Sequence, residues 1–166
     1  MNEHPDEEVN QRIKKYWEER LDDISKESEK HIEEAIGLTD WIIDSPFSNV
    51  DTLKLIHKTL QITKGQIDRY SNIDDSINIL CEYGREFCLI VLECIQMILT
   101  NEHNKYLDVY SKNFESSLNK FLDEIVKNES DKTVLQKAID LVDDLGRLHV
   151  YNYAKFYDPL NEKLKS

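Results

Sequence analysis

The chain of 166 residues is acidic, with a formal net charge of −12 at pH 7. Nucleic acids and anionic lipids are bound through clustered Lys and Arg, so this charge argues against a nucleic-acid partner and against docking on a membrane. Only 4 glycines and 3 prolines occur, too few for the many turns of a β-sandwich or barrel. Long charged segments with few helix breakers predict an all-α fold.

Two helices are predicted within residues 6–44. Apolar residues recur there at helical spacing, but residues 25–30 are wholly polar, so we expect a bend near Ser25. Residues 1–44 also carry 14 Asp and Glu against 6 Lys and Arg. This acidic segment is either a solvated helix exterior or a surface for a basic partner.

Pro46 ends this region, because proline disfavours helical geometry in the residue before it. Three more apolar stripes at helical spacing follow, over residues 53–70, 106–125 and 134–148, and each predicts an amphipathic helix. The helix after residue 134 is expected to stop at Asp158 and Pro159 at the latest, since proline cannot continue it.

Residues 74–100 are predicted to form one helix at the centre of the fold. Apart from Glu93 and Gln96, residues 87–99 are apolar, and a helix that is apolar around most of its circumference is buried by neighbours on several sides. The apolar run is shorter than the roughly 20 residues that a membrane span requires. We therefore expect a buried central helix and no membrane segment.

The central helix contains all three cysteines and one glycine. On a continuous helix, Cys81 and Cys88 lie about 10 Å apart along the axis, which is too far for a disulfide. Neither they nor Cys94 belong to a CxxC pair, so we interpret them as packing residues. Gly84 lowers helix stability by about 1 kcal/mol relative to Ala, which predicts the close approach of a crossing helix. We consider Gly84 and Arg85 a candidate contact corner for a partner.

Together these patterns predict one domain, residues 1–166, built as a bundle of five or six helices around the central helix. Residues 1–5 and 160–166 are expected to fray. No apolar secretory signal opens the chain, and an odd number of cysteines is typical of a reducing compartment. We therefore expect a cytoplasmic protein.

The segment 146–157 combines four aromatic residues with Arg147 and Lys155. Its rings either complete the core, with the tyrosine hydroxyls reaching water, or form a protein-binding surface. Stacking on single-stranded bases is a third interpretation, which the acidity of the chain disfavours. The complete set of predicted contact residues is Gly84, Arg85, Arg147, Tyr151, Tyr153, Phe156 and Tyr157.

No catalytic, phosphate-binding or cofactor motif is present, and the five histidines lack the spacing of a helical metal site. We therefore expect a non-enzymatic, cofactor-free regulator or adaptor that binds another protein, or itself, through a hydrophobic groove or helix face. The alternative is an acidic inhibitor that masks a basic surface on its target, with Glu18, Glu19, Asp22 and Asp23 as its contacts. An enzyme assembled from residues distant in sequence is the third hypothesis.

Overall fold

A computed structural model describes residues 5–43, 49–67, 73–84, 86–102, 104 and 112–166. These residues form eight α-helices and two 3₁₀ turns, with no strand among them, which confirms the all-α fold class. The helices are α1 (Pro5–Lys26), α2 (Ser28–Ile43), α3 (Asn49–Thr63), α4 (Ile73–Tyr83), α5 (Cys88–Thr100), α6 (Glu115–Asn128), α7 (Lys132–Arg147) and α8 (Tyr157–Lys165). The 3₁₀ turns are Lys112–Phe114 and Tyr151–Phe156.

The predicted bend near Ser25 is confirmed, because α1 ends at Lys26 and α2 begins at Ser28. The Ser25 hydroxyl donates a 2.7 Å hydrogen bond to the carbonyl of Asp22, a local bond that competes with the helical ladder. The chain then turns at Glu27, whose carbonyl accepts from the amide of Lys30.

Helix α3 is shorter than predicted. It ends at Thr63, because Lys64 and Gly65 both adopt positive φ angles of 55° and 88°. The Gly65 amide donates to the Leu60 carbonyl at 2.8 Å, which closes the helix in the manner of a Schellman cap. A side chain at Gly65 would overlap the backbone of Met97. The end of the predicted stripe, Tyr70, lies outside the described residues.

The predicted single helix over 74–100 is in fact two helices, α4 and α5, separated at residues 84–87. A Cβ atom on Gly84 would lie 2.6 Å from Cδ2 of Phe121, so the ring of α6 occupies the space of a side chain. The crossing helix that Gly84 predicts is therefore α6. The central, buried element is α5, which packs against α3, α4 and α7 and has Leu92 and Ile95 fully buried.

The C-terminal segment also differs from the prediction. The chain leaves α7 at Leu148, passes through the Tyr151–Phe156 turn and enters α8. Pro159 does not stop a helix. It lies in the first turn of α8, where a backbone N–H would have no acceptor within the helix, so its absence costs no hydrogen bond. Residues 160–165, predicted to fray, are helical, and Leu160 is fully buried.

Within the described ranges, none of the helices combines the length and the apolarity that a membrane crossing demands.

Candidate protein-binding groove

A groove with a volume of about 690 Å³ lies between α4 and α6 and ends where α4 breaks from α5. The α6 residues that line it recur at spacings of three and four, so they form one face of that helix. They are Ser117, Lys120, Phe121, Glu124, Ile125 and Asn128. The opposite wall consists of Asn78, Cys81 and Glu82 of α4, with Gly84 and Cys88 at the break.

The contact between Gly84 and Phe121 sets the shape of this groove. Because Gly84 has no side chain, α4 meets the ring of Phe121 at the end of the helix, and both residues line the groove. The thiol of Cys88 donates a 2.8 Å hydrogen bond to the Gly84 carbonyl, which satisfies a carbonyl that the helix break leaves open. The break and the groove therefore meet at Gly84.

The floor of the groove is apolar and its rim is acidic. Phe121 and Ile125 are buried, whereas Glu82 and Lys120 are exposed and Glu124 and Glu129 are half-buried. Glu129 accepts 2.8 Å hydrogen bonds from the amides of Ser130 and Asp131, so it stabilises the turn into α7. Glu82 and Glu124 form no ion pair with another described residue. Glu82 and Glu124 are therefore the carboxylates of the groove that can pair with a basic ligand.

The two thiols in the groove are not nucleophiles at neutral pH. Burial, with a smaller contribution from Glu82, raises the pKa of Cys81 from 9.0 to about 12. Burial also raises the pKa of Cys88, and Glu129 adds to the effect. Because the thiolate is the reactive form, neither sulfur is activated. The helix break removes the axial separation of 10 Å that a continuous helix would impose, yet both cysteines are free.

The structure separates the predicted contact residues into three groups. Gly84 lies at the groove, and Arg85 is outside the described residues. Arg147 is exposed and bonded to Asp144 at 2.9 Å, and Tyr151 and Tyr157 are exposed.

Tyr153 and Phe156 require a correction. Both are core residues, with 0% and 3% of their surface exposed, and neither lines the groove or the pocket beside α7, so they offer no surface to a partner. The Tyr151–Phe156 turn has three residues per turn, which places the residues at 153 and 156 on one face, and that face packs on the core. The interpretation of these two rings as core residues is the correct one.

The N-terminal carboxylates of the inhibitor hypothesis already have partners in the chain. Glu18 and Glu19 pair with Lys14 and Lys15 at 3.9 and 3.7 Å. Asp23 pairs with Lys26 at 2.9 Å, and Asp22 pairs with Lys58 of α3. These contacts reduce the net charge that the segment presents to an outside cation.

Sequence reasoning missed the α6 wall of the groove. The apolar stripe of α6 was recognised through Phe121 and Ile125, but the neighbouring Ser117, Lys120 and Glu124 have the pattern of an ordinary solvated face. Ser117 lies beside the apolar stripe, and its small side chain is the one local sign that this face of α6 leaves space for a groove.

In the part of the chain that the structure describes, no three His, Cys, Asp or Glu side chains are grouped as metal ligands. Comparison with protein-family models, curated proteins and solved structures finds no match to this chain.

Proposed function

We propose that the protein is a non-enzymatic, cytoplasmic interaction module that binds an amphipathic, basic segment of another protein in the groove between α4 and α6. The observation that carries this proposal is the combination of an apolar floor with an acidic rim in a groove of about 690 Å³. That volume is within the usual range for binding pockets, and such pockets orient an apolar ligand through a few polar groups.

The floor supports an apolar anchor on the partner. Phe121 and Ile125 line the groove through the 5% and 2% of their surface that stays exposed, and the half-buried thiol of Cys81 adds a polarisable contact. Burial of one large apolar side chain there removes its surface from water, which contributes about 1.5–3 kcal/mol. An amphipathic helix presents such anchors along one face, and helices that bind in this way lie in an apolar groove.

The rim supports basic residues beside the anchor. Glu82 and Glu124 stand on opposite walls, and Lys120 is the one basic residue among the described residues of the lining. The net charge of −12 for the chain acts in the same direction, since a field of one sign steers an oppositely charged partner and raises its association rate.

A library of random 12-residue peptides, displayed on phage and selected on the purified chain, tests this proposal. We expect enriched peptides with one or two large apolar residues flanked by Lys or Arg. Their affinity should fall at least tenfold in Ser117→Trp, whose indole fills the groove. Ser116→Trp is the matched control, because Ser116 is the adjacent residue of α6, is exposed and does not line the groove.

Charge reversal separates the rim from the floor. Glu82→Lys combined with Glu124→Lys should lower the affinity for the selected basic peptides. The affinity should also depend less on salt, because fewer attractive charge contacts remain for salt to screen. Enriched peptides without basic residues, or peptides that bind Ser117→Trp and Ser116→Trp equally well, would show that the groove is not the binding site.

A further inference from the structure

A second, smaller pocket lies at the end of α7, on a different part of the surface from the groove. It has a volume of about 370 Å³ and is formed by α7, the Tyr151–Phe156 turn and the start of α8. Tyr151 and Tyr157, with 64% and 41% of their surfaces exposed, stand in its wall. Two carboxylates, Asp143 and Asp158, also line it.

We propose that this pocket binds the ammonium group of a lysine side chain from a partner protein. The faces of aromatic rings attract cations electrostatically, and sites for alkylammonium groups are built from aromatic walls with nearby carboxylates. Asp143 and Asp158 form no ion pair with another described residue, so their charge is available to a ligand. The apolar Val142 and Val150 beside them suit the methylene stem of lysine.

The basic side chains nearest in sequence do not fill this pocket. Arg147 donates to Asp144 at 2.9 Å, and the Lys155 ammonium lies 4.9 Å from the centre of the Phe156 ring. Neither residue lines the pocket. The site therefore combines two tyrosines and two carboxylates without a cation from these neighbours.

Gly146, which lines the pocket, and His149, which precedes the lining residue Val150, are both disfavoured by local stability. Gly146 lies within α7, and a Cβ atom on it would meet no atom within 4 Å, so packing does not require a glycine. His149 has a φ of 63°, a left-handed conformation that is unfavourable for a residue with a side chain. Its Nδ1 atom lies 2.8 Å from the Tyr151 hydroxyl. Unfavourable local choices are enriched at functional sites, but they are not confined to this pocket, since Gly37 is equally open and Lys64 has a φ of 55°.

The same two residues explain how the pocket is built. Gly146 leaves the floor open, and His149 terminates α7, with the Val150 amide bonded to the Leu145 carbonyl at 2.9 Å. A glycine at position 149 would adopt this left-handed conformation without strain, but it would lack the imidazole ring that contacts the Tyr151 hydroxyl. We infer that His149 is a positioning residue for Tyr151.

A lysine from a protein fits the pocket better than the choline headgroup of a lipid. A choline ammonium is followed within a few bonds by a phosphate, which Asp143 and Asp158 would repel. A lysine ammonium is followed by four methylene groups and then by a neutral backbone.

Titration of the purified chain, followed by NMR of its tyrosine ring protons, tests the proposal. The probes are Nα-acetyl-lysine methylamide, tetramethylammonium, and neopentanol as the uncharged isostere. We expect saturable shifts of Tyr151 and Tyr157 with both cations and none with neopentanol. Tyr151→Ala and Tyr157→Ala should each weaken binding by roughly 2- to 30-fold, which corresponds to one cation–π contact. Tyr16→Ala, at an exposed tyrosine of α1, should have no effect.

Three results would overturn the proposal: equal shifts with neopentanol, loss of binding in Tyr16→Ala, or shifts with phosphatidylcholine vesicles but not with the lysine derivative. Circular dichroism checks that each variant is folded, and Tyr151→Phe and Tyr157→Phe, which keep the rings, should keep measurable binding. His149→Gly should raise the melting temperature while it weakens lysine binding, a combination that a merely structural histidine would not give. Ser117→Trp should bind the lysine derivative normally, so failure of this pocket and failure of the groove are distinguishable.

Discussion

The groove between α4 and α6 and the pocket at the end of α7 each contain a glycine, but the two glycines have different surroundings. A Cβ atom on Gly84 would lie 2.6 Å from Cδ2 of the Phe121 ring, whereas one on Gly146 would meet nothing within 4 Å. Gly84 is therefore necessary for the close packing of α4 on α6 where both helices line the groove. Gly146 has no such reason, so the pocket exists at a cost to α7.

The two surfaces therefore differ in how they relate to the packing of the fold. The groove arises where close packing demands a small residue, and its floor consists of ordinary core residues. The pocket contains a helical glycine, which lowers stability relative to alanine, and the left-handed His149 beside it closes α7 in the way that Lys64 closes α3. Gly37 is a helical glycine without a packing requirement as well, so lysine binding, and not local stability, has to distinguish the pocket from an ordinary surface.

The largest expected effect is that of Gly84→Ala. The added methyl group must displace the buried ring of Phe121, and overpacking of this kind lowers the free energy of unfolding by about 1–3 kcal/mol. Urea denaturation followed by circular dichroism measures it. Gly37→Ala is the control, because a Cβ atom there meets no atom within 4 Å. Equal stability of Gly84→Ala and the unmodified chain would show that α4 and α6 can move apart at no cost.

Alkaline pH provides a second test of the groove. The pKa of Cys81 is raised from 9.0 to about 12 in the folded chain, so the fold favours the protonated thiol. The raised pKa of Cys81 therefore contributes its full stabilisation below pH 9, and this stabilisation is lost as the pH rises towards 12. The free energy of unfolding should fall by up to about 1.4 kcal/mol per pH unit for this thiol.

Urea denaturation at pH 8, 9.5 and 11 checks this loss. Cys81→Ala should be less stable than the unmodified chain at pH 8, because a buried sulfur is removed, but should lose stability less steeply above pH 9. The pKa of Cys94 is also raised to about 12, so the free energy of unfolding of Cys81→Ala should still fall with rising pH. An unchanged slope in Cys81→Ala would mean that the groove is wetter than its geometry indicates.

Tyr153→Phe distinguishes the inner face of the Tyr151–Phe156 turn from the outer face. The Tyr153 hydroxyl is buried and has no hydrogen-bond partner in the described structure, and burial, followed by Glu115, raises its pKa. Removing an unpaired buried hydroxyl should increase the free energy of unfolding by about 1 kcal/mol. Tyr151→Phe, on the exposed face, is the comparison. A less stable Tyr153→Phe would reveal a partner for the hydroxyl, such as a buried water.

The sequence predicts the parts of the fold that depend on local pattern. The all-α class, the bend after Ser25 and the burial of residues 91–99 all follow from apolar periodicity. Gly84 predicts the approach of another helix, but its contact, Phe121, lies 37 positions away, so the local pattern identifies neither the partner nor the break. Gly65 is different, because a glycine near the end of a stripe is a recognised helix stop, and this signal was present.

The candidate sites were only partly predictable for a similar reason. Gly84, Tyr151 and Tyr157 were identified from composition, but the α6 wall, Asp143 and Asp158 become part of a site only through tertiary contacts. Tyr153 and Phe156 were grouped with Tyr151 because the segment has the composition of one surface. The 3₁₀ geometry, with a period of three rather than 3.6 residues, separates them into the core.

The smallest expected effect, that of Gly146→Ala, tests the comparison most directly. Alanine at position 146 should raise the free energy of unfolding by about 0.5–1 kcal/mol, since it removes the entropic cost of a helical glycine and meets no neighbour. Gly37→Ala in α2 should give a similar gain for the same reason. Thermal and urea denaturation measure both.

Lysine binding then separates these two variants. Gly146 lines the 370 Å³ pocket, so the methyl group of Gly146→Ala should weaken binding of the lysine derivative, whereas Gly37→Ala should bind it normally. If both variants gain stability but only Gly146→Ala loses lysine binding, the glycine at position 146 lowers the stability of α7 and is needed for the binding site. If Gly146→Ala gains stability and binds as well as Gly37→Ala, the two glycines are equivalent, and the contrast between the pocket and the groove reduces to the packing of Phe121 on Gly84.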